Sequence, residues 1–64
     1  MKITNDTEYM MAIAQAMYHQ DEDALQEVYE ASQHLGGTDE EQEARAHLME
    51  VADAMIDLVN KTYQ

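Results

Sequence analysis

Cysteine and proline are absent from this 64-residue chain, glycine occurs twice, and Lys and Arg together number three. Without cysteine there is no disulfide scaffold, no thiolate metal site and no cysteine nucleophile, which excludes a small secreted disulfide fold and a zinc finger. The shortage of bases is equally informative. Against three Lys and Arg stand fourteen Asp and Glu, a formal charge of −11. Such a chain repels nucleic acid and anionic membranes, so neither is expected as a direct ligand; its attractive partners are basic surfaces. Long apolar runs are also missing. The longest mostly apolar stretch, Tyr9 to Tyr18, contains Gln15 and falls well short of the ~20 residues that span a bilayer. Lys2 is followed by Asp6 and Glu8 before any apolar run, the wrong order for a signal peptide, so a cytoplasmic protein is expected.

What remains is helical in character. Gly36 and Gly37 sit together, and the rest is rich in Ala, Glu, Gln, Met and Leu, all good helix formers. Hydrophobic residues make up 45% of the chain and recur at regular spacing, which opposes disorder. A chain of this length holds one domain and buries only ~60% of the surface it exposes when unfolded.

The first helix is expected over about 6–19. Asn5 is placed to cap it, and Glu8 completes a capping box. At 100° per residue Tyr9, Met10, Ile13, Ala16 and Met17 share one face, while Met11, Ala14 and Tyr18 form a second apolar strip away from it. A second helix is expected over about 22–35, with Ala24, Val28, Ala31 and Leu35 as its stripe, Leu25 on the flank and Gly36 as the left-handed residue beyond its end. The third, over about 39–61, opens with Thr38 as N-cap and Glu41 three residues on. Its stripe reads Ala44, Leu48, Val51, Met55, Leu58 and Val59, with Asp39, Glu43, Glu50, Asp53 and Asp57 opposite. The fold class is therefore all-α, a compact three-helix bundle in one domain over residues 1–64. The apolar phase also runs on from Met17 to Ala24, so the alternative is one long first helix in a two-helix hairpin that dimerises into a four-helix bundle.

No catalytic or metal constellation stands out. Glu43, His47 and Glu50 are spaced i, i+4, i+7, and His19 and Asp23 are four apart, but helical-bundle metal sites need matching ligands from several helices and no repeated Glu-x-x-His occurs. Asp53 and Asp57 could exchange a proton only in a pocket that shifts one of them, and Gly36-Gly37 lacks the lysine of a phosphate loop. The expectation is a protein that is not an enzyme and carries no metal or cofactor.

The acidic residues carry the functional reading. Solvated helix faces usually mix signs, yet between Asp21 and Asp57 there are twelve acids and only Arg45 as a base. Asp23, Glu27 and Glu30 share one face of the second helix; Glu43, Glu50 and Asp57 recur every seven residues on the third, ~10.5 Å apart, with Asp53 filling a gap. Phosphates along nucleic acid also present negative charge in a line. These carboxylates, with Tyr29 at the border of its helix's apolar side, are the candidate partner-binding residues. Met11, Ala14 and Tyr18 are the candidate apolar or homodimer interface, since Met and Tyr suit adaptable contacts.

The small, acidic, cysteine-free form resembles the anti-CRISPR proteins encoded by bacteriophages and mobile elements. Met1-Lys2-Ile3-Thr4-Asn5-Asp6-Thr7 is similar to the start of a type I member of that group, over seven of the 64 residues. The resemblance implies stoichiometric inhibition in the bacterial cytoplasm, by occupying a basic DNA-binding surface of a type I CRISPR surveillance complex (Cascade) or its helicase–nuclease; no catalytic residues carry over. The alternative is a non-mimic interaction protein, such as an antitoxin, immunity protein or transcription modulator, binding through the Met/Tyr strip.

Overall fold

The computed structural model describes residues 1–62 as three α-helices in contact with one another: α1 (Asp6–His19), α2 (Glu22–Ala31) and α3 (Asp39–Thr62). The fold is an all-α three-helix bundle. The phase continuity from Met17 to Ala24 does not produce one long helix, because the chain turns sharply between them. Gln20 adopts the left-handed conformation (φ 53°). Its N–H donates to the Met17 carbonyl at 3.1 Å and the Asp21 N–H to the Ala16 carbonyl at 3.0 Å, the double closure of a Schellman turn. Asp21 then caps α2, its side chain accepting from the Ala24 N–H at 3.1 Å. The two-helix hairpin is thereby replaced by three helices.

Both foreseen caps form. Asn5 accepts from the Glu8 N–H at 2.8 Å. The Glu8 carboxylate reaches one residue further back than a standard capping box, to the Thr4 N–H at 2.7 Å and to the Thr4 hydroxyl. These bonds hold the Glu8 carboxyl below its ordinary value, the Thr4 hydroxyl contributing most and the Thr4 N–H next. They also fix the short segment ahead of α1, which places Ile3 in the core at 1% exposure. Thr38 and Glu41 exchange bonds at the start of α3, at 3.1 and 3.3 Å.

α2 stops a turn earlier than its periodicity suggests, at Ala31 rather than Leu35. The Ser32 hydroxyl donates to the Tyr29 carbonyl at 3.0 Å and the Gln33 amide donates to the same oxygen. Side-chain bonds of this kind compete with continuation of the helix. Gly36 (φ 62°) and Gly37 (φ 96°) take left-handed conformations in the link to α3, so Gly36 belongs to a longer connection and does not end α2.

α1 and α3 run parallel, with α2 antiparallel to both. Asp6 and Tyr9 at the start of α1 meet Arg45, while the α1 C-terminus at His19 and Gln20 lies beside Asn60. The core consists of Ile3, Tyr9, Ile13, Ala16, Leu25, Val28, Ala52 and Ile56, with Ala12, Met17, Ala24, Ala31, Leu35, Leu48 and Met49 packed around them. α1 and α2 thus bury much of the expected faces, although Met10 is 52% exposed and Leu25 is more central than a flank.

α3 departs further. Its inward line is Arg45, Leu48, Met49, Ala52, Ile56 and Val59, roughly a quarter turn from the expected stripe. Val51, Met55 and Leu58 are 40%, 48% and 65% exposed, and Ala44 is exposed too. The cause lies in the contacts with α1. Arg45 Nη1 pairs with Asp6 Oδ1 at 2.8 Å, and the Tyr9 hydroxyl donates to the Arg45 carbonyl at 2.7 Å. Those two bonds turn the Arg45 line inward, and Ala52, fully buried, lets the helices approach closely.

Gln20 is the one non-glycine residue with positive φ among those described. A β-carbon there costs on the order of 1 kcal/mol, so Gln20→Gly should raise stability by about 0.5–1 kcal/mol, read as a Tm increase of several degrees. The Glu8 cap has a definite sign. A carboxyl held below its ordinary value of 4.5 contributes stability above that pH and loses it as pH falls through the lowered value. Glu8→Gln should therefore lower Tm at neutral pH, with the gap to wild type closing as the pH falls below 4.5 and through the lowered value; a constant gap would show that the charge contributes nothing.

Candidate functional site

Several of the acids have an identified place in the fold. Asp6 pairs with Arg45, and Glu8, Asp21 and Glu41 make capping bonds. Glu22, Asp23, Asp39 and Glu40 occupy first turns, where they complement the helix dipole. Asp57 pairs with Lys61 at 2.9 Å, a bond that raises the Lys61 pKa. Glu27, Glu30, Glu43, Glu50 and Asp53 remain. Among the described residues these five form no ion pair and cap no helix; Glu30 accepts a long bond from the Gln26 amide at 3.4 Å. All five are exposed.

The structure does not gather the candidate carboxylates into one patch. Glu43, Glu50 and Asp57 follow one another along the outer side of α3, and the Lys61 pair offsets charge at the Asp57 end. Asp53 leaves that row and turns toward α2. Asp23, Glu27 and Glu30 project from the far side of α2, where Glu27 and Glu30 border a shallow hollow with Met1 and Ala31.

Three of the candidates do meet. Glu50, Asp53 and Tyr29 line the open groove between α2 and α3, together with Glu22, Leu25, Gln26 and Met49. Here two helices contribute carboxylates to one concave strip whose floor is apolar and whose lip is a half-exposed tyrosine. Tyr29 also borders the neighbouring hollow with Tyr9, Gln33, Gln42 and Arg45. Glu22 is a member the sequence reading passed over. Its signal is the spacing Glu22, Gln26, Tyr29, which is i, i+4, i+7 and so one face of α2. Chemically the groove suits a cation. Carboxylates on both walls can accept from a guanidinium or ammonium, and Tyr29 lies beside them.

Among the described residues no three His, Asp or Glu side chains gather closely enough to hold a metal ion, so Glu43, His47 and Glu50 remain neighbours along one helix. No described helix is long and apolar enough to cross a membrane. The Met/Tyr strip of α1 lies on the surface, with Met11 61% and Tyr18 83% exposed and Ala14 exposed between them. The Tyr18 ring packs edge-on against His19, centroids 5.1 Å apart. Tyr9 is the opposite case: burial raises its pKa, against the nearby Arg45 charge.

No protein family matches this sequence, and neither curated proteins nor solved structures provide a match.

Carboxylates that lack counter-charges repel one another, and that repulsion is screened by salt over ~10 Å at 0.1 M. Raising NaCl from about 20 mM to a few hundred millimolar should therefore raise Tm, and a melting temperature flat across that range would show that the acids are adequately dispersed.

Proposed function

We propose that this protein is a stoichiometric inhibitor without catalytic activity or cofactor, one that binds a basic surface otherwise used to hold nucleic acid. The observation that carries the reading is the set of carboxylates for which the fold has no use. Of these, Glu50 and Asp53 stand at the α2–α3 groove beside Tyr29, where Glu22 of the first turn of α2 joins them, and Glu43, Glu27 and Glu30 extend the negative field on either side. Repulsion among them weakens a bundle whose core numbers eight buried hydrophobic residues among those described, so a compensating role in binding is the economical account.

In this reading the long-range field of a −11 chain speeds encounter with a Lys- and Arg-lined channel. The groove then takes one or two cationic side chains as short, charge-assisted bonds that set the off-rate. The resemblance of Met1–Thr7 to a type I anti-CRISPR protein favours, as target, the DNA-binding surface of a type I surveillance complex in the bacterial cytoplasm. Members of that class occupy such surfaces, including the one that reads the protospacer-adjacent motif.

One observation favours a second reading. Met11 and Tyr18 are more exposed than soluble surfaces need, as expected of a non-mimic antitoxin, immunity protein or transcription modulator that docks through apolar contacts. The two readings differ in salt and charge dependence. Under the first, Glu22→Lys combined with Glu50→Lys and Asp53→Lys abolishes capture of the Cascade complex from lysate and inhibition of its DNA binding, while helical circular dichroism is retained. Association also slows steeply between low and high salt. Inhibition unchanged by the triple reversal, and by reversal of Glu27, Glu30 and Glu43, would refute the mimic.

A further inference from the structure

The exposed apolar residues of α3 are regularly spaced. Ala44, Val51, Met55 and Leu58, with the half-buried Leu48 between the first two, follow one another at intervals of four, three, four and three, the strict heptad seam of a helix that packs against another helix. Inside the subunit that seam is largely unused, because α3 turns the adjacent line toward α1 and α2. Val51, Met55 and Leu58 remain 40–65% exposed.

The strip on α1 extends the same surface. Asp6 pairs with Arg45, so α3 lies on the Asp6 side of α1, and Met10, Ala14 and Tyr18 follow next around that helix. On α3, Met49 and Asp53 face α2, so the seam lies beyond the Arg45 line on the opposite flank, the one that borders α1. The two apolar strips thus open on one side of the molecule, across the α1–α3 groove and away from α2. We propose that this face is a homodimer interface, in which α3 packs antiparallel against α3 of a second copy.

Three observations select a second copy as the occupant. The first is charge. Two molecules of charge −11 repel least through the face poorest in acids: no Asp or Glu occurs between Tyr9 and Gln20, none lies on the seam from Ala44 to Leu58, and His47 and Ala54 edge its free side, with Glu40 and Glu43 confined to its N-terminal end. The second is self-complementarity. A two-fold axis beside Asp53 sets Leu48 against Leu58 and Val51 against Met55 of the other chain, so each layer pairs unlike side chains, as an isologous contact requires. That orientation also keeps the first turns with Asp39, Glu40 and Glu41 at opposite ends of the pair, whereas parallel packing stacks the acidic first turns together. The third is area. Covering Met10, Tyr18, Val51, Met55, Leu58 and Met11, each at least 40% exposed, removes a surface approaching the ~800 Å² per partner of a standard interface.

The dimer leaves the α2–α3 groove open on each subunit, so it stands whether or not that groove binds a basic partner. Sedimentation equilibrium of the full chain should give a mass of about twice 7.3 kDa at tens of micromolar. Val51→Glu with Leu58→Glu should return it to the single-chain mass without loss of helical circular dichroism, since both positions are exposed in the subunit. Orientation is read separately, with milder changes. In this cysteine-free chain, Val51→Cys and Met55→Cys variants mixed under mild oxidation should give the Val51–Met55 mixed disulfide in preference to either self-pair. Wild type at the single-chain mass up to hundreds of micromolar, a dimer indifferent to the two glutamates, or preferential self-pairing of Val51→Cys would each overturn the proposal.

Discussion

Arg45 is the point on which the arrangement of this bundle turns. Its guanidinium pairs with Asp6, and its main-chain carbonyl accepts the hydroxyl of Tyr9. The pair is partly shielded, with the Arg45 side chain 13% and the Asp6 side chain 49% exposed, so the desolvation cost falls on the guanidinium while the carboxylate stays in contact with water. Its geometric effect matters more than its energy. α3 carries apolar residues over a wide arc and could bury any of several lines. Two bonds from α1 to one residue of α3 choose the line, and that choice decides what the rest of α3 shows to solvent.

The choice also explains what could and could not be read from the residues in order. Caps were legible because they are local: Asn5 with Glu8 and Thr38 with Glu41 announce their helices over three positions. Composition and periodicity pointed to three helices and to the inner residues of α1, where Tyr9, Ile13 and Ala16 share one narrow stripe. Rotation of α3 was not legible in the same way. A regular heptad looks like a core stripe from within its own helix, and only the distant Asp6 and Tyr9 reveal that the neighbouring line is the buried one. Ile3 escaped for a similar reason, since its burial follows from how Glu8 folds the preceding segment back. The end of α2 was lost to Ser32, whose hydroxyl competes with the backbone. At the acidic groove, Glu50, Asp53 and Tyr29 were identifiable singly, but their meeting with Glu22 depends on how α2 and α3 lie side by side.

The charge of this protein separates into two populations once the contacts are known. One is consumed by the architecture: acids at helix starts, at caps and in the pairs with Arg45 and Lys61. For a helix that begins with Asp39, Glu40 and Glu41, negative charge is locally favourable and needs no external explanation. The other lies beyond the first turns, where the dipole gives no support and, for Glu30 in the last turn of α2, opposes the charge. Net charge alone does not distinguish them. Their separation shows where the uncompensated carboxylates lie and leaves the α1–α3 side comparatively neutral.

Tyr9 gives this small bundle an optical signature. The chain has no tryptophan to mask phenol absorption or emission, and among the tyrosines of the described residues Tyr18 is largely in solvent and Tyr29 half-exposed, while Tyr9 is 2% exposed. Its ring sits in the core and its hydroxyl on the Arg45 carbonyl, so its near-ultraviolet bands sense the asymmetric contact between α1 and α3 directly. The residue that fastens the two helices is therefore also an intrinsic chromophore through which their separation can be followed, with no label added.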